Sequence, residues 1–160
     1  MSDQPRLTLV EFGDFECPNC MQAHPVVRHL LAHHADRLDY RFRHFPLREV
    51  HPHAEAAAEL AESARAQGRF DEFQDLIFTR SGHLTEELLF GFGARLGLDV
   101  PRMRDELARH AYRPRVEHDL ADARAAGLRG TPAFLLEGRY VDVSFGLERL
   151  ETAVEEALHP

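Results

Sequence analysis

The chain changes its secondary-structure pattern twice, and these changes limit the folds that it can adopt. Residues 7–12 form an apolar run typical of a buried strand, and residues 38–45 alternate between apolar and polar side chains. Residues 47–127 carry only helical patterns. Two further short strands follow, at residues 133–136 and 139–143. The order β-α-β, helical block, β-β-α predicts an α/β fold with a mixed central sheet and an inserted all-helical block.

The junctions of the helical block contain no flexible linker, so we expect an insertion and not a separate tethered domain. Residues 1–46 and 128–160 are predicted to form one domain, and residues 47–127 an inserted helical subdomain. Within the block, Thr85 and Asp99 are expected to cap helices, and Ser144 is expected to cap the helix at the end of the chain. Other helices are predicted from residue 18 onward and over residues 53–66, 70–77 and 114–126.

The two cysteines of the chain lie in the segment Cys17-Pro18-Asn19-Cys20, between the first strand and the first helix. Disulfide-stabilised secreted domains use more cysteines, so this pair indicates redox chemistry. Pro18 suits the first helical position, which makes Cys17 the expected N-cap residue. The positive end of the helix dipole favours a thiolate there. Cys17 is therefore the candidate nucleophile, and Cys20 the candidate resolving thiol.

Half of a zinc site is the alternative interpretation of the cysteine pair. Structural zinc needs four ligands, and the sequence has no second cysteine pair, so histidines would have to complete the set. The nearest candidates are His24, His29, His33, His51 and His53. The strand–helix context favours redox chemistry. We therefore predict no metal and no cofactor beyond the redox-active disulfide of Cys17 and Cys20.

Glu11 lies in the otherwise apolar first strand, six residues before Cys17. Burial disfavours a carboxylate, so its pKa should be raised, and it would then accept and return the proton of Cys20. An acid at a sheet edge that points to water is the alternative. Phe15 stands beside the cysteine motif and is a candidate for lining a substrate groove. The histidine pairs His29 with His33 and His51 with His53 are expected to be ordinary surface residues, because no acid or cysteine completes a metal site with either pair.

The segment Gly130-Thr131-Pro132 precedes the third predicted strand. A cis bond between Thr131 and Pro132 would leave the Thr131 backbone free to pair with an extended substrate. Only about 5–6% of X–Pro bonds are cis, so position alone does not establish one.

Together these motifs resemble the thioredoxin fold. The motifs are Val10-Glu11-Phe12, Cys17-Pro18-Asn19-Cys20, Pro25 in the following helix and Gly130-Thr131-Pro132. The inserted helices resemble the DsbA-type thiol–disulfide oxidoreductases. The resemblance implies that Cys17 attacks, that Glu11 assists proton movement, and that Thr131 and Pro132 contact the substrate. Pro25 corresponds to a kink in the active-site helix.

One departure from the resemblance concerns Asn19. Strong oxidants of the DsbA type carry histidine at this position, and asparagine cannot be cationic. We therefore expect the Cys17 thiolate to be less stabilised than in those proteins. The family's extra N-terminal strand also has little room before Leu7.

The net charge and the hydropathy of the chain limit the classes of partner that it is expected to bind. The net charge of −8 disfavours nucleic acid and acidic membranes, and no apolar run is long enough to span a bilayer. The start of the chain shows no signal-peptide pattern, so a cytoplasmic monomer is expected. Its expected partners are protein or peptide thiols and disulfides, together with a redox recycling partner of unknown identity. The alternative function is a non-catalytic dithiol module that senses redox state or binds metal.

Overall fold

A computed structural model describes residues 6–159, and within that range the chain folds into four strands and seven helices. The strands are β1 (Leu7–Gly13), β2 (Leu38–His44), β3 (Ala133–Leu136) and β4 (Arg139–Val141). The helices are α1 (Pro18–His33), α2 (Ala54–Ala66), α3 (Phe70–Phe78), α4 (Glu86–Arg95), α5 (Val100–Ala108), α6 (Arg113–Ala125) and α7 (Glu148–Leu158). The predicted order of elements is confirmed.

The four strands form one mixed sheet in the order β2-β1-β3-β4. β1 pairs in parallel with β2 and antiparallel with β3, and β3 pairs antiparallel with β4. Phe12, at the end of β1, lies opposite Ala133, at the start of β3. This register brings the segment before β3 to the same end of the sheet as the start of α1. It is the position at which the cysteines and the Thr131-Pro132 segment meet.

Close packing at the end of β1 requires glycine at residue 13. A Cβ atom there would lie 2.5 Å from a ring carbon of Phe42, closer than any real side-chain contact. The same Cβ would lie 3.3 Å from Oε2 of Glu11. Gly13 therefore lets the end of β1 lie directly against the Phe42 ring on β2.

Two of the helix caps expected from the sequence are confirmed. The side chain of Thr85 accepts a hydrogen bond from the N–H of Leu88, and that of Asp99 accepts one from Arg102. None of the helices within residues 6–159 has both the length and the apolar character needed to cross a membrane.

The expectation at the end of the chain is wrong in two details. β4 ends at Val141 and not at residue 143, and the N-cap of α7 is Leu147 and not Ser144. The Ser144 backbone N–H and hydroxyl both bond to Asp142, two residues earlier. This local turn takes up the hydroxyl that would have capped a helix.

The division into residues 1–46 with 128–160 and residues 47–127 stays a prediction. Residues 1–5 and Pro160, which this division includes, lie outside the part of the chain that the structure describes.

Candidate active site

The N-terminus of α1 holds both cysteines as free thiols. Cys17 is the N-cap residue in extended backbone conformation, and Pro18 occupies the first turn, as the sequence predicts. The Cys17 carbonyl accepts a hydrogen bond from the Cys20 N–H at 3.1 Å. The Cys17 side chain keeps 5% of its surface exposed, whereas Cys20 is fully buried. Pro18 and Asn19, between them, are exposed to solvent.

Cys17 is the acidic thiol of the pair. Hydrogen bonding from the Cys20 thiol is the main cause that lowers the pKa of Cys17 to about 5, against the opposing effect of burial. The Thr131 side chain and the backbone N–H groups of Cys20 and Asn19 lower it further. Although the Asn19 side chain is uncharged, its backbone N–H thus helps to stabilise the Cys17 thiolate. Cys17 is ionised at neutral pH in this geometry.

Cys20 has the opposite character. Burial raises the pKa of this thiol well above its ordinary value of 9.0, and its hydrogen bond to Cys17 and the charges on Glu11 and Cys17 raise it further. The backbone N–H of Asp14 donates to its sulfur at 3.5 Å and acts in the other direction. Cys20 is therefore held as a neutral thiol that needs a base before it can attack.

Glu11 is buried on β1, with 1% of its surface exposed. Burial raises its pKa from 4.5 to about 7; the hydrogen bond from Tyr40 opposes this rise, and the charge on Cys17 adds to it. Oε1 accepts that bond at 2.6 Å, and the Tyr40 hydroxyl in turn accepts one from Gln74 at 3.2 Å. Oε2 is buried without a hydrogen-bond partner among the described residues. A proton acceptor is thus available on the inner side of the dithiol.

The segment before β3 closes the outer side of the site. The peptide bond between Thr131 and Pro132 is cis, and the Thr131 carbonyl lies 3.6 Å from the Cys17 sulfur, close enough to accept a hydrogen bond from the thiol. The Thr131 hydroxyl is buried and finds no hydrogen-bond partner among the described residues while Cys17 is a thiol. It can donate to the Cys17 thiolate, in line with its effect on the pKa of Cys17.

A groove of about 1000 Å³ runs past this segment. It is lined by residues of the α1 start, the loop from residue 126 to residue 133, β4 and the loop before α7. The lining residues include Asn19, Thr131, Pro132, Tyr140 and Val143. Phe145, which is 80% exposed, stands between two further lining residues in the loop before α7.

Phe15 does not line this groove, which corrects the expectation from the sequence. Its side chain is 1% exposed and lies in the core under the helical block. Its ring stacks on Phe42 with centroids 5.0 Å apart and packs against Phe78 at 5.1 Å. Its proximity to the motif in sequence reflects packing of the turn, because the side chain points away from solvent.

Three further residues organise the turn before Cys17. Asp14 is buried, and its carboxylate accepts hydrogen bonds from the backbone N–H of Leu47 at 2.8 Å and from Nδ1 of His51 at 2.7 Å. The guanidinium of Arg80 donates to the Phe15 carbonyl at 3.1 Å. The sequence held one hint, an acid in the loop beside the motif, but nothing that linked it to His51 or Arg80.

The histidines do not assemble a metal site in the part of the chain that the structure describes. No group of three His, Cys, Asp or Glu side chains in residues 6–159 is arranged to hold an ion. The rings of His29 and His33 contact each other in a tilted arrangement, with centroids 4.5 Å apart, on the exposed face of α1.

Comparison with known proteins agrees with this geometry. A family model described as Thioredoxin matches residues 3–156. The chain belongs to the thioredoxin family. Among solved structures, this thioredoxin-family protein is similar to a thioredoxin-like oxidoreductase from Silicibacter pomeroyi DSS-3. The two share 27% identity and a TM-score of 0.83, over 96% of this chain and 87% of the other.

Two further solved structures share its fold. BdbD from Bacillus subtilis, in its oxidised form, is 18% identical with a TM-score of 0.85, over 99% of this chain and 91% of the other. DsbA from Xylella fastidiosa is 18% identical with a TM-score of 0.73, over 97% and 88%. The DsbA-type thioredoxin fold implied by the sequence is therefore confirmed.

Curated relatives with higher identity are much longer proteins. "Na(+)/H(+) antiporter NhaA 1" of Salinispora arenicola (strain CNS-205) is 43% identical over 151 residues, which are 94% of this chain and 23% of the relative. "Na(+)/H(+) antiporter NhaA" of Herminiimonas arsenicoxydans is 44% identical over 155 residues, 97% and 24% respectively. The chain thus spans about a quarter of the length of these relatives.

Proposed function

We propose that this protein is a thiol–disulfide oxidoreductase that exchanges disulfides with protein or peptide substrates through Cys17 and Cys20. The observation that carries the proposal is the opposite character of the two thiols. Cys17 is acidic, keeps 5% of its surface exposed and lies beside Thr131 of the groove. Cys20 is fully buried and neutral, and Oε2 of the nearby Glu11 has no hydrogen-bond partner among the described residues. A nucleophile and a resolving thiol need this difference.

The first step uses the outer thiol. The Cys17 thiolate attacks one sulfur of a substrate disulfide, forming a mixed disulfide and releasing the other substrate sulfur as a thiolate. The Thr131 hydroxyl and the backbone N–H groups at the start of α1 hold the Cys17 thiolate before attack. The Thr131 carbonyl, freed of the Cys17 proton, can accept a backbone N–H of the substrate.

The second step uses the inner thiol. The carboxylate of Glu11 takes the Cys20 proton, and the Cys20 thiolate attacks the Cys17 sulfur of the mixed disulfide. The Cys17–Cys20 disulfide forms and the remaining substrate sulfur leaves as a thiolate. A recycling reductant must then return two electrons. The reverse sequence oxidises a substrate dithiol, and in that direction Glu11 returns its proton to Cys20.

The groove supports an extended polypeptide as substrate. Its volume is about 1000 Å³, and its lining combines the apolar and aromatic side chains of Val143 and Tyr140 with Thr131. We propose that in a reducing cytoplasm the protein acts as a reductase or isomerase, because the surrounding thiol pool keeps the dithiol reduced.

Single substitutions of the two cysteines test the proposal in an insulin-reduction assay with a dithiol recycling reagent. Cys17→Ser should abolish turnover, because no nucleophile remains. Cys20→Ser, mixed with oxidised insulin in the absence of that reagent, should instead trap a mixed disulfide at Cys17 that mass spectrometry detects. Full activity in Cys17→Ser would overturn the proposal. Stoichiometric metal retained by a protein without exchange activity would favour the alternative dithiol module.

A further inference from the structure

His51 lies in the loop that leads from β2 into the helical block, far from the cysteine motif in sequence. Its Nδ1 is 2.7 Å from Oδ2 of Asp14, and the side chain of Asp14 is fully buried. The His51 side chain keeps 20% of its surface exposed. The imidazole is thus held by one buried carboxylate at the edge of the site while remaining in exchange with solvent.

Asp14 joins His51 to the dithiol itself. Its backbone N–H donates to the sulfur of Cys20 at 3.5 Å, and its carboxylate accepts the N–H of Glu16, the residue next to Cys17, at 2.7 Å. A second oxygen serves both His51 and the N–H of Leu47. The Asp14 side chain therefore holds both the turn that precedes Cys17 and the imidazole of His51, which interacts with the Cys17 charge.

The charges around His51 favour its protonated form. Burial acts to lower the pKa of His51, but the hydrogen bond to Asp14 and the negative charges on Asp14, Cys17 and Glu16 outweigh it and raise the pKa. From the helical block, Arg80 approaches the same turn and interacts with Glu16 and Asp14. A cationic His51 must in turn stabilise the Cys17 thiolate, because the interaction between two charges is mutual.

We propose that His51, held by Asp14, is a positioning residue of this site that stabilises the Cys17 thiolate and couples the redox equilibrium of the dithiol to a second proton. Asn19 leaves the motif without a cation, and His51 supplies one from outside it. When the Cys17–Cys20 disulfide forms, the thiolate charge disappears and His51 binds its proton less tightly. This inference rests on the proposed function of the cysteine pair.

The proton coupling has a defined sign. Reduction of the disulfide creates the thiolate, so the reduced form binds additional proton at His51 where the histidine titrates. The preference for the reduced form should therefore fall more steeply with rising pH in the wild type than in a variant without a titrating group at residue 51. Glu11 titrates in the same range, but it contributes alike to the wild type and to such variants.

The test compares His51→Gln, His51→Lys and the control His29→Gln. Gln keeps an N–H donor for Asp14 and removes the charge, whereas Lys keeps a charge that does not titrate near neutral pH. His29 lies on the exposed face of α1, against His33. Thiolate absorbance of the reduced proteins is titrated against pH, and equilibrium with glutathione is measured across neutral pH.

His51→Gln should raise the midpoint of the Cys17 titration by about one pH unit, the size expected for one charge near a protein surface. His51→Lys and His29→Gln should keep the midpoint near the wild-type value. The steeper pH dependence of the glutathione equilibrium should disappear in both His51 variants and persist in His29→Gln.

An unchanged midpoint in His51→Gln, or an equal rise in His51→Gln and His51→Lys, would overturn the inference, the second by showing a purely structural role. A steep pH dependence retained in both His51 variants would overturn the proton coupling. The absorbance titration needs no turnover. Its failure would thus remove the role of His51 while leaving the oxidoreductase function to the cysteine variants.

Discussion

The outer and inner halves of the site shift the pKa values of their cysteine thiols in opposite directions, although only one turn of helix separates Cys17 from Cys20. In the outer half, the hydrogen bond from the Cys20 thiol, together with donors from Thr131 and the start of α1, lowers the pKa of Cys17 to about 5. The inner half surrounds Cys20 with apolar core and the Glu11 carboxyl, and its pKa rises well above 9.0. Hydrogen bonding is the largest cause of the pKa shift at Cys17, whereas desolvation is the largest cause at Cys20.

The contrast shows how one short motif obtains two functions. A helix start offers its N–H groups to the first cysteine only, because the second already lies within the helix. The sheet then adds a buried acid on the side of the second. Neither pKa follows from the sequence Cys-Pro-Asn-Cys alone, since both depend on what β1 and β3 place around it.

The largest expected effect is a pH-dependent change in the free energy of unfolding, which tests whether Glu11 has a raised pKa in the inner half of the site. The folded pKa of Glu11 is about 7 against an ordinary 4.5, so the unfolded chain loses this proton at lower pH than the folded one. The contribution of protonated Glu11 to wild-type stability should therefore be lost as pH rises from about 4 to about 8, and Glu11→Gln should escape that loss. The advantage of Glu11→Gln should grow by about 3 kcal/mol over this range.

Urea unfolding of the reduced proteins at the two pH values measures this difference. The exposed Glu156→Gln serves as the matched control and should show no such growth. A difference between Glu11→Gln and wild type that stays constant with pH would show that Glu11 titrates normally, and the inner half would lose its base.

The next effect compares the two thiols directly. At about pH 5.5 most of Cys17 is thiolate, whereas less than about one Cys20 in a thousand is. The lower nucleophilicity of the more acidic thiolate cancels about two orders of magnitude of this advantage. Iodoacetamide should therefore modify Cys17 at least about tenfold faster than Cys20, and burial widens the gap.

Peptide mapping of briefly alkylated, reduced wild-type protein gives both rates in one sample. In urea the two cysteines should react at similar rates, because the environments that separate them are gone. Comparable rates in the folded protein would break the comparison between the halves.

The smallest effect separates the two hydrogen bonds that tune each half. Thr131→Val removes a donor to the Cys17 thiolate and should raise the pKa of Cys17 by up to about one pH unit. Tyr40→Phe removes the donor to Oε1 of Glu11 and should raise the pKa of Glu11 by a similar amount. Each variant should leave the other group nearly unchanged.

Thiolate absorbance reports the first titration, and NMR of carboxyl-labelled glutamate reports the second. Each variant serves as the control for the other. If Thr131→Val moved Glu11 as much as it moved Cys17, the halves would be one coupled unit and not two separate environments.

Much of this architecture could be predicted from the sequence because the signals were local. Pro18 placed Cys17 at the helix start, and an acid within an apolar strand placed Glu11 in the core. Alternating and helical patterns gave the order of elements, which fixes the end of the sheet where the motifs meet.

What the sequence did not yield depends on contacts across the fold. The bond between Asp14 and His51 spans a strand, a helix and a loop, and no periodicity encodes such a pairing. Phe15 was misplaced because its ring packs on Phe42 and Phe78, which only the inserted helices and β2 bring near. The Ser144 cap failed because a local turn with Asp142 competed with the helix.

The exposure of Pro18 and Asn19 has a consequence for engineering. The residues on either side of this pair are buried, so changes there would disturb packing as well as chemistry. The two central positions touch solvent, so their side chains can be exchanged with little effect on the core. Libraries confined to these two codons should therefore vary the chemistry of the dithiol while leaving the packing of the core intact.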